Sequence, residues 1–148
     1  MTQRLQIYQC EVCGNTVEVI DKGNGKLVCC DKPMVFLKEN VQDTGKDTHL
    51  PVVNRKGDVV EVQVGKVLHP MEENHYIKWI ELEDGNRVYR QYFEQPKPLD
   101  DDDDRRKKKK PPQPKATFRV ENKHYYAVRI YCNLHGLWKT FKSIQLGL

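Results

Sequence analysis

The chain has 148 residues, of which 38% are hydrophobic and 31% charged, and its formal net charge is +4 at pH 7. This composition excludes a disordered chain, and no apolar run approaches the roughly 20 residues of a membrane-spanning helix. The amino-terminal residues lack the apolar stretch of a secretory signal, so we expect a cytoplasmic protein. The mild positive charge suits an anionic substrate but does not by itself indicate nucleic acid.

Residues 1–37 are predicted to form a small domain that depends on metal. Alternating apolar and polar residues predict short strands over 16–20 and 26–28, with a turn over 21–25 between them. A unit of this size buries too little apolar surface to fold securely alone. A metal ion that ties its two ends together would supply the missing stability.

Four cysteines stand at these two ends with the spacing of metal ligands. Cys10 and Cys13 form a Cys-x-x-Cys motif followed by Gly14, and such a tight turn directs two thiolates at one ion. Cys29 and Cys30 are adjacent, so a local kink must bring both sulfur atoms to the same side. Soft thiolates favour zinc or iron in a tetrahedral site. The alternative, a disulfide or two buried thiols, is disfavoured in a reducing cytoplasm.

Residues 38–148 are predicted to form an all-β domain, an antiparallel sandwich or barrel. Period-two alternation predicts six strands, over 59–67, 76–82, 87–93, 117–121, 125–131 and 138–144. The pair Asp84-Gly85 between two of these runs is a strong hairpin signal. No segment shows convincing helical periodicity, and many short strands with frequent turns are typical of a sandwich or barrel.

The segment 100–115 between two predicted strands has low sequence complexity. Five aspartates are followed by two arginines, four lysines and a proline-rich stretch. Such a stretch has nothing to bury, so we expect a mobile charged surface loop. A docking tail for a charged partner is the alternative.

Three histidines of the second domain are candidate ligands of a second metal ion. His49 and His69 lie where extended segments end or turn, because a proline follows each of them closely. His75 opens a strand on which Ile77 and Trp79 are expected to share one face.

A Cys-x-x-His motif near the end of the chain completes the second candidate site. Cys132 has the same parity as Ile130, so it should point inward at the end of its strand. His135 returns three residues later, and Gly136 permits the sharp turn. Four imidazoles and one thiolate exceed the four ligands of a structural zinc site. Five ligands suit iron, with a sixth octahedral position left open for chemistry.

With these residues assembled, the sequence resembles the desulfoferrodoxin family, the two-iron form of superoxide reductase. The resemblance covers nearly the whole chain outside 100–115, and its motifs follow the family's order: Cys10-x-x-Cys13, Cys29-Cys30, His49-x-Pro51, His69-Pro70, His75 and Cys132-x-x-His135. It implies a desulforedoxin-like domain with a rubredoxin-type Fe(Cys)4 centre. It also implies an immunoglobulin-like β-sandwich with a square-pyramidal Fe(His)4(Cys) centre, and therefore two iron ions per chain.

The resemblance implies an activity and partners as well. The reaction is the one-electron reduction of superoxide, with two protons, to hydrogen peroxide. Rubredoxin or a similar protein is the usual electron donor, and homodimers are typical of the family. Cys132 is expected opposite the open position, where an axial thiolate pushes electron density onto iron. Hydrogen bonds to its sulfur are expected to tune the potential.

The chain departs from the family just before the first histidine ligand. The family usually has Glu-Lys there, whereas this chain has Asp47 and Thr48. The family's lysine is expected to attract superoxide and to help place a proton-delivering water, and its glutamate is expected to cap the ferric ion. Asp47 is one methylene shorter and Thr48 carries no charge. Our hypothesis is that Lys46, close by in sequence, takes over the lysine's role.

Two other functions compete with this interpretation. One is an electron-transfer iron protein without catalysis, which would use only the four-cysteine site. The other is a zinc-ribbon module that binds nucleic acid, favoured by the lysine run and the pI of about 8.7. Neither of these functions explains why five candidate metal ligands occur in the second domain. Of the remaining candidate residues, His124 is expected at the surface and the aromatic side chains in the core: Trp79, Trp138 and Phe141.

Overall fold

The computed structural model describes residues 1–43, 47–98, 110–121 and 124–143. The chain divides into two compact units, Met1–Lys38 and Glu39–Leu148. Every regular element in the described part is a β-strand, so the all-β prediction is confirmed. Within those ranges, no helix is long and apolar enough to cross a membrane.

The first unit contains two small antiparallel sheets. One has the strand order β2-β1-β5, formed by β1 (Ile7–Gln9), β2 (Thr16–Glu18) and β5 (Val35–Phe36). The other pairs β3 (Val28–Cys29) with β4 (Lys32–Pro33). The predicted strands at 16–20 and 26–28 therefore overlap β2 and β3, but these two strands belong to different sheets. The remaining strands are two or three residues long, too short to show alternation in the sequence.

The second unit is a sandwich of two antiparallel sheets. The first has the order β10-β7-β6, formed by β6 (Pro51–Lys56), β7 (Val59–Val64) and β10 (Lys115–Arg119). The second has the order β12-β11-β8-β9, formed by β8 (Ile77–Glu83), β9 (Val88–Tyr92), β11 (Tyr125–Cys132) and β12 (Gly136–Ser143). Both sheets contribute to one buried core, with Val60 and Val62 from the first and Ile80, Leu82 and Val128 from the second.

All six strands predicted in this unit overlap observed strands, but β6 was missed. Only Pro51 of β6 is buried, and the strand carries polar residues at 54–56. Its sequence therefore lacks the hydrophobic alternation that identifies a strand. The predicted loop at 100–115 falls mainly outside the described residues. At its described end, β10 begins at Lys115, two residues before the predicted strand.

The predicted hairpin at Asp84-Gly85 joins β8 to β9. Gly85 has a φ of 99°, which glycine adopts without strain. The buried Asp84 carboxylate accepts hydrogen bonds from the backbone N–H groups of Asn86 and Arg87, at 3.2 and 2.8 Å. This prediction is confirmed.

Two predicted side-chain placements are wrong. Ile77 packs in the core, whereas Trp79 stacks on Tyr131 with ring centroids 5.9 Å apart and planes 15° from parallel. The pairing of β11 with β8 shifts register between Tyr131 and Cys132, so strict alternation fails there. Phe141 was expected in the core but is 63% exposed. His124 is exposed, as predicted.

Candidate metal centres

The first unit brings four cysteine sulfur atoms together. The Sγ atoms of Cys10, Cys13, Cys29 and Cys30 lie within 4.8 Å of one another, and all four thiols are free. Cys13 and Cys29 are 3.6 Å apart at Sγ, far beyond the roughly 2 Å of a disulfide. Sulfur atoms that share a tetrahedral ion at about 2.3 Å each are separated by about 3.8 Å. The cluster therefore fits one tetrahedral metal ion.

Backbone conformation explains how these cysteines converge. Gly14 has a φ of 81°, and its N–H donates to the Cys10 carbonyl at 2.9 Å, which closes the tight turn of the Cys-x-x-Cys motif. Cys30 and Asp31 have φ values of 51° and 59°. These left-handed conformations form the kink that adjacent cysteines require.

Hydrogen bonds within this cluster shift the pKa values of two of its thiols in opposite directions. The backbone N–H of Cys13 hydrogen-bonds the Cys10 thiol and lowers its pKa to about 6. Hydrogen bonding with the neighbouring cysteine side chains, Cys13 first, raises the pKa of Cys30 to about 12. Four thiolates repel one another unless a cation lies between them, so metal binding releases protons here.

The second unit arranges four imidazole rings as the corners of a square. The ring centroids are 4.6–5.0 Å apart for the neighbouring pairs His49–His69, His69–His75, His75–His135 and His135–His49. The diagonal pair His49–His75 is 6.4 Å apart. Each neighbouring pair has its ring planes 72–82° apart. The Cys132 Sγ lies within 4.8 Å of the ligand atoms of all four histidines. A fifth atom near all four corners must lie above or below the square, so Cys132 is the candidate axial ligand.

Interatomic distances indicate which atoms face the centre. His49 Nε2 and His135 Nδ1 are 3.0 Å apart, and Cys132 Sγ is 3.6 Å from the same His135 Nδ1. Two nitrogen ligands at right angles, each about 2.1 Å from an ion, lie about 3.0 Å apart, whereas tetrahedral angles separate them by about 3.4 Å. The spacing therefore favours square rather than tetrahedral coordination.

His69 provides the strongest test of whether this cluster fits a metal. Its Nε2 is buried and has no hydrogen-bond partner among the described residues, which is costly unless an ion binds it. Its Nδ1 lies 2.7 Å from the Pro70 carbonyl, so Nδ1 carries the proton and Nε2 offers a lone pair. Burial lowers the pKa of His69 to about 4 and keeps the ring neutral. The residues present fit a metal ion.

Two family models match the chain. The desulfoferrodoxin model matches residues 41–141, and the model of the desulfoferrodoxin N-terminal domain matches residues 2–37. This chain belongs to the desulfoferrodoxin family.

Individual relatives support this membership. A desulfoferrodoxin homolog of Archaeoglobus fulgidus is 46% identical over 140 residues, which cover 95% of this chain and 99% of that protein. A superoxide reductase of Pyrococcus horikoshii is 33% identical over 120 residues, or 75% of this chain and 99% of that protein. The crystal structure of the superoxide reductase from Treponema pallidum matches with a TM-score of 0.68 at 22% identity, covering 94% of this chain and 99% of that one. This last likeness supports the fold.

Cys132, the candidate axial ligand, is the last residue of β11 and points inward, as its parity predicts. Cys132 is fully buried and belongs to the core. Burial raises the pKa of its thiol, and hydrogen bonds from the backbone N–H groups of His135 and Leu134 partly offset that effect. The same N–H groups would stabilise a thiolate ligand and tune the potential of a bound ion.

The residues that depart from the family pattern do not all face the centre. Asp47 is exposed and has a φ of 52°, and its carboxylate is not among the converging ligand atoms of the described residues. Thr48 Oγ1 lies 3.1 Å from His49 Nδ1, so its hydroxyl contacts a ligand ring. Lys46, the third predicted catalytic residue, lies outside the described residues.

Sequence reasoning missed two side chains that support this cluster. The Asp43 carboxylate accepts hydrogen bonds from the backbone of the His49 segment. Trp138, expected to be only a core residue, stacks on His49. Asp43 had no sequence signal that separates it from other acidic residues. The position of Trp138, three residues after His135 at the start of a strand, was the one available hint.

Proposed function

We propose that this chain is a superoxide reductase, which adds one electron and two protons to superoxide and releases hydrogen peroxide. The observation that carries the proposal is the square of four imidazoles with Cys132 on its axis. Five protein ligands leave one octahedral position for a small anion. The superoxide reductase from Pyrococcus horikoshii, 33% identical to this chain, adds support.

Each part of this site has a distinct task. A ferrous ion bound there would supply the electron that the reaction consumes. The four imidazoles would hold the ion, and the Pro70 carbonyl, which accepts from His69 Nδ1, leaves the His69 Nε2 lone pair available to it. Cys132 would hold the same ion through its thiolate, whose electron density would favour electron transfer to superoxide.

The reaction's stoichiometry gives the sharpest test of this function. Superoxide generated by a radiolysis pulse should decay rapidly with the iron-loaded, reduced protein, and one hydrogen peroxide should form per superoxide. A dismutase would instead yield half as much peroxide, together with dioxygen. Exchanging the exposed His124 for alanine should leave the rate unchanged, whereas His75→Ala should abolish the rapid phase. Rapid decay that releases dioxygen would overturn the proposal.

We propose that charge near the open position attracts the substrate anion. Lys46 is the candidate for this role, with Asp47 and Thr48 as its neighbours in the segment before His49. Asp47, exposed and in a left-handed conformation, is the proposed equivalent of the family's glutamate. Lys46→Ala should lower the second-order rate with superoxide and weaken its dependence on salt. An unchanged rate and salt dependence would remove Lys46 from the mechanism.

A second iron in the four-cysteine cluster is the proposed electron relay, giving two iron ions per chain. The backbone N–H of Asn15 donates to Cys13 Sγ at 3.5 Å and its side-chain amide donates to Cys29 Sγ at 3.8 Å, and such bonds tune iron–thiolate potentials. Metal analysis should find two irons per chain, and Cys13→Ser should reduce this to one without removing the superoxide reaction. One iron in the unmodified chain would contradict the assignment.

Three further parts of the proposal concern the surroundings of the protein. We propose rubredoxin or a similar small iron protein as the electron donor, tested by the oxidation of reduced rubredoxin when superoxide is supplied. We propose a homodimer, tested by sedimentation at micromolar concentration. We propose the cytoplasm as the location, because the four clustered thiols need a reducing compartment to remain metal ligands.

A further inference from the structure

Asp43 is a partly buried residue whose side-chain carboxylate is shielded from solvent beside the second metal cluster. Its side chain is only 6% exposed, and the His49 side chain next to it is 8% exposed. One oxygen, Oδ2, accepts hydrogen bonds from the backbone N–H groups of His49 at 2.7 Å and of Leu50 at 3.3 Å. Burying a charged carboxylate is costly, so its two backbone bonds and its place beside a ligand require an explanation.

The other carboxylate oxygen faces the ligand ring itself. Asp43 Oδ1 lies 3.9 Å from His49 Nδ1, and Thr48 Oγ1 lies 3.1 Å from the same nitrogen. Because His49 Nε2 faces the centre of the cluster, Nδ1 is the nitrogen that carries the proton; Thr48 Oγ1 lies within hydrogen-bonding distance of it, and Asp43 Oδ1 lies farther out at ion-pair distance. A negative charge on this side of an imidazole strengthens it as a metal ligand and fixes its orientation.

From these contacts we infer that Asp43 is a positioning residue for the second metal site. Its carboxylate holds the backbone that carries His49 and keeps that imidazole aimed at the ion. The inference rests on the second metal site of the proposed function, and its tests read metal retention and potential rather than activity. A failure of superoxide reduction in the unmodified protein would therefore leave these tests intact.

Asp84 provides a matched control. Like Asp43, it is a buried carboxylate that accepts hydrogen bonds from two consecutive backbone N–H groups. Asp84 directly follows the last residue of β8, and His75 lies two residues before the first, so the full length of that seven-residue strand, about 3.3 Å per residue, separates them. Asp84→Ala therefore removes the same type of interaction at a comparable cost in stability, without a metal ligand nearby.

The experiment compares iron release from the two alanine variants in the holoprotein. A ferrous chelator is added in excess, and loss of iron from the second site is followed while the four-cysteine absorption serves as an internal reference. We expect Asp43→Ala to release this iron about 10- to 100-fold faster than Asp84→Ala. Asp43→Asn keeps an oxygen for both backbone N–H groups, so it should restore most of the retention. Equal release from the two alanine variants would overturn the inference.

If Asp43→Ala does not yield folded protein, the variants Asp43→Asn and Asp84→Asn provide the test instead. Asp43→Asn removes a negative charge beside the ligand ring, so the potential of the second site should rise, while Asp84→Asn should leave it unchanged. A purely structural role predicts no shift in either variant. Equal potentials in Asp43→Asn and the unmodified protein would refute an action of the carboxylate charge on the His49 ring, and the inference with it.

Discussion

Trp138 lies face to face with His49, with ring centroids 4.6 Å apart and planes 19° from parallel. Its indole N–H donates to the backbone carbonyl of His135 at 3.1 Å. One side chain from β12 therefore contacts two of the five proposed ligands. It also packs against the sandwich core, so it links the core to the site.

Two substitutions of Trp138 should distinguish the stabilisation from its stacking on His49 from that of its hydrogen bond to His135. Trp138→Phe keeps an aromatic ring over His49 but loses the hydrogen bond to His135, and should cost about 1 kcal/mol. Trp138→Ala should cost about 2–4 kcal/mol and accelerate iron release. Urea unfolding and chelator challenge measure both effects. Phe141→Ala, an exposed aromatic on the same strand, should change stability by less than about 0.5 kcal/mol. Equal losses at positions 138 and 141 would contradict this account.

Gly65 lets the turn after β7 approach the segment that carries the first histidine ligand. It has a φ of 85°, and a Cβ there would lie 2.3 Å from the Val67 carbonyl oxygen and 2.7 Å from the Thr48 Cα. Gly65→Ala should therefore cost about 3 kcal/mol or more and lower the iron content of the second site. Gly57→Ala is the control, because its φ of 62° is also left-handed but nothing lies within 4 Å of the new Cβ. It should cost about 1 kcal/mol and leave iron bound.

Glu81 and Arg129 form a buried ion pair on the four-stranded sheet. Glu81 is 1% exposed and Arg129 is 5% exposed, and Arg129 Nε donates to Glu81 Oε1 at 2.9 Å. Arg129→Met should cost about 3 kcal/mol, because it leaves a buried carboxylate with one partner fewer. The exposed pair between Arg119 and Asp58 is the comparison, and Arg119→Met should cost less than about 0.5 kcal/mol. Calorimetry of both variants tests this difference in stability. Similar midpoint temperatures of unfolding would show that the buried pair contributes no more stability than the exposed pair.

Cys132→Ser should affect the second site only. A hydroxyl is a poor axial donor, so the second-order rate with superoxide should fall by at least about 100-fold. The visible absorption of the ferric second site, which depends on thiolate, should disappear. The absorption of the four-cysteine centre should persist, which serves as the control for folding. A serine variant that keeps both absorption bands would place the thiolate of Cys132 outside the coordination sphere.

Much of the candidate site could be predicted from sequence because ligand chemistry is local. The spacing of Cys10 and Cys13, and of Cys132 and His135, brings ligand pairs together within single turns. The adjacent pair at 29–30 required a kink, and the structure provides one at Cys30. Residue type and turn geometry were sufficient for these inferences.

Other features depend on contacts between distant segments and left no sequence pattern. The order of the four imidazoles around the square depends on contacts between segments that are far apart in sequence. The same contacts decide that His135 turns Nδ1 toward His49 Nε2. The support of His49 by Asp43 depends on a side-chain-to-backbone contact across six positions of the chain. The opposite placement of Ile77 and Trp79 results from a register shift that alternation alone does not reveal.

Anomalous diffraction at the iron edge, from crystals of the iron-loaded, reduced protein, tests the central claim most directly. We predict two peaks per chain, one among the four Sγ atoms of the first unit. The other should be bonded to five atoms: Nε2 of His49, His69 and His75, Nδ1 of His135 and Sγ of Cys132. No sixth protein ligand should contact that ion. A second peak remote from Cys132, or an ion enclosed by six protein ligands, would contradict the account.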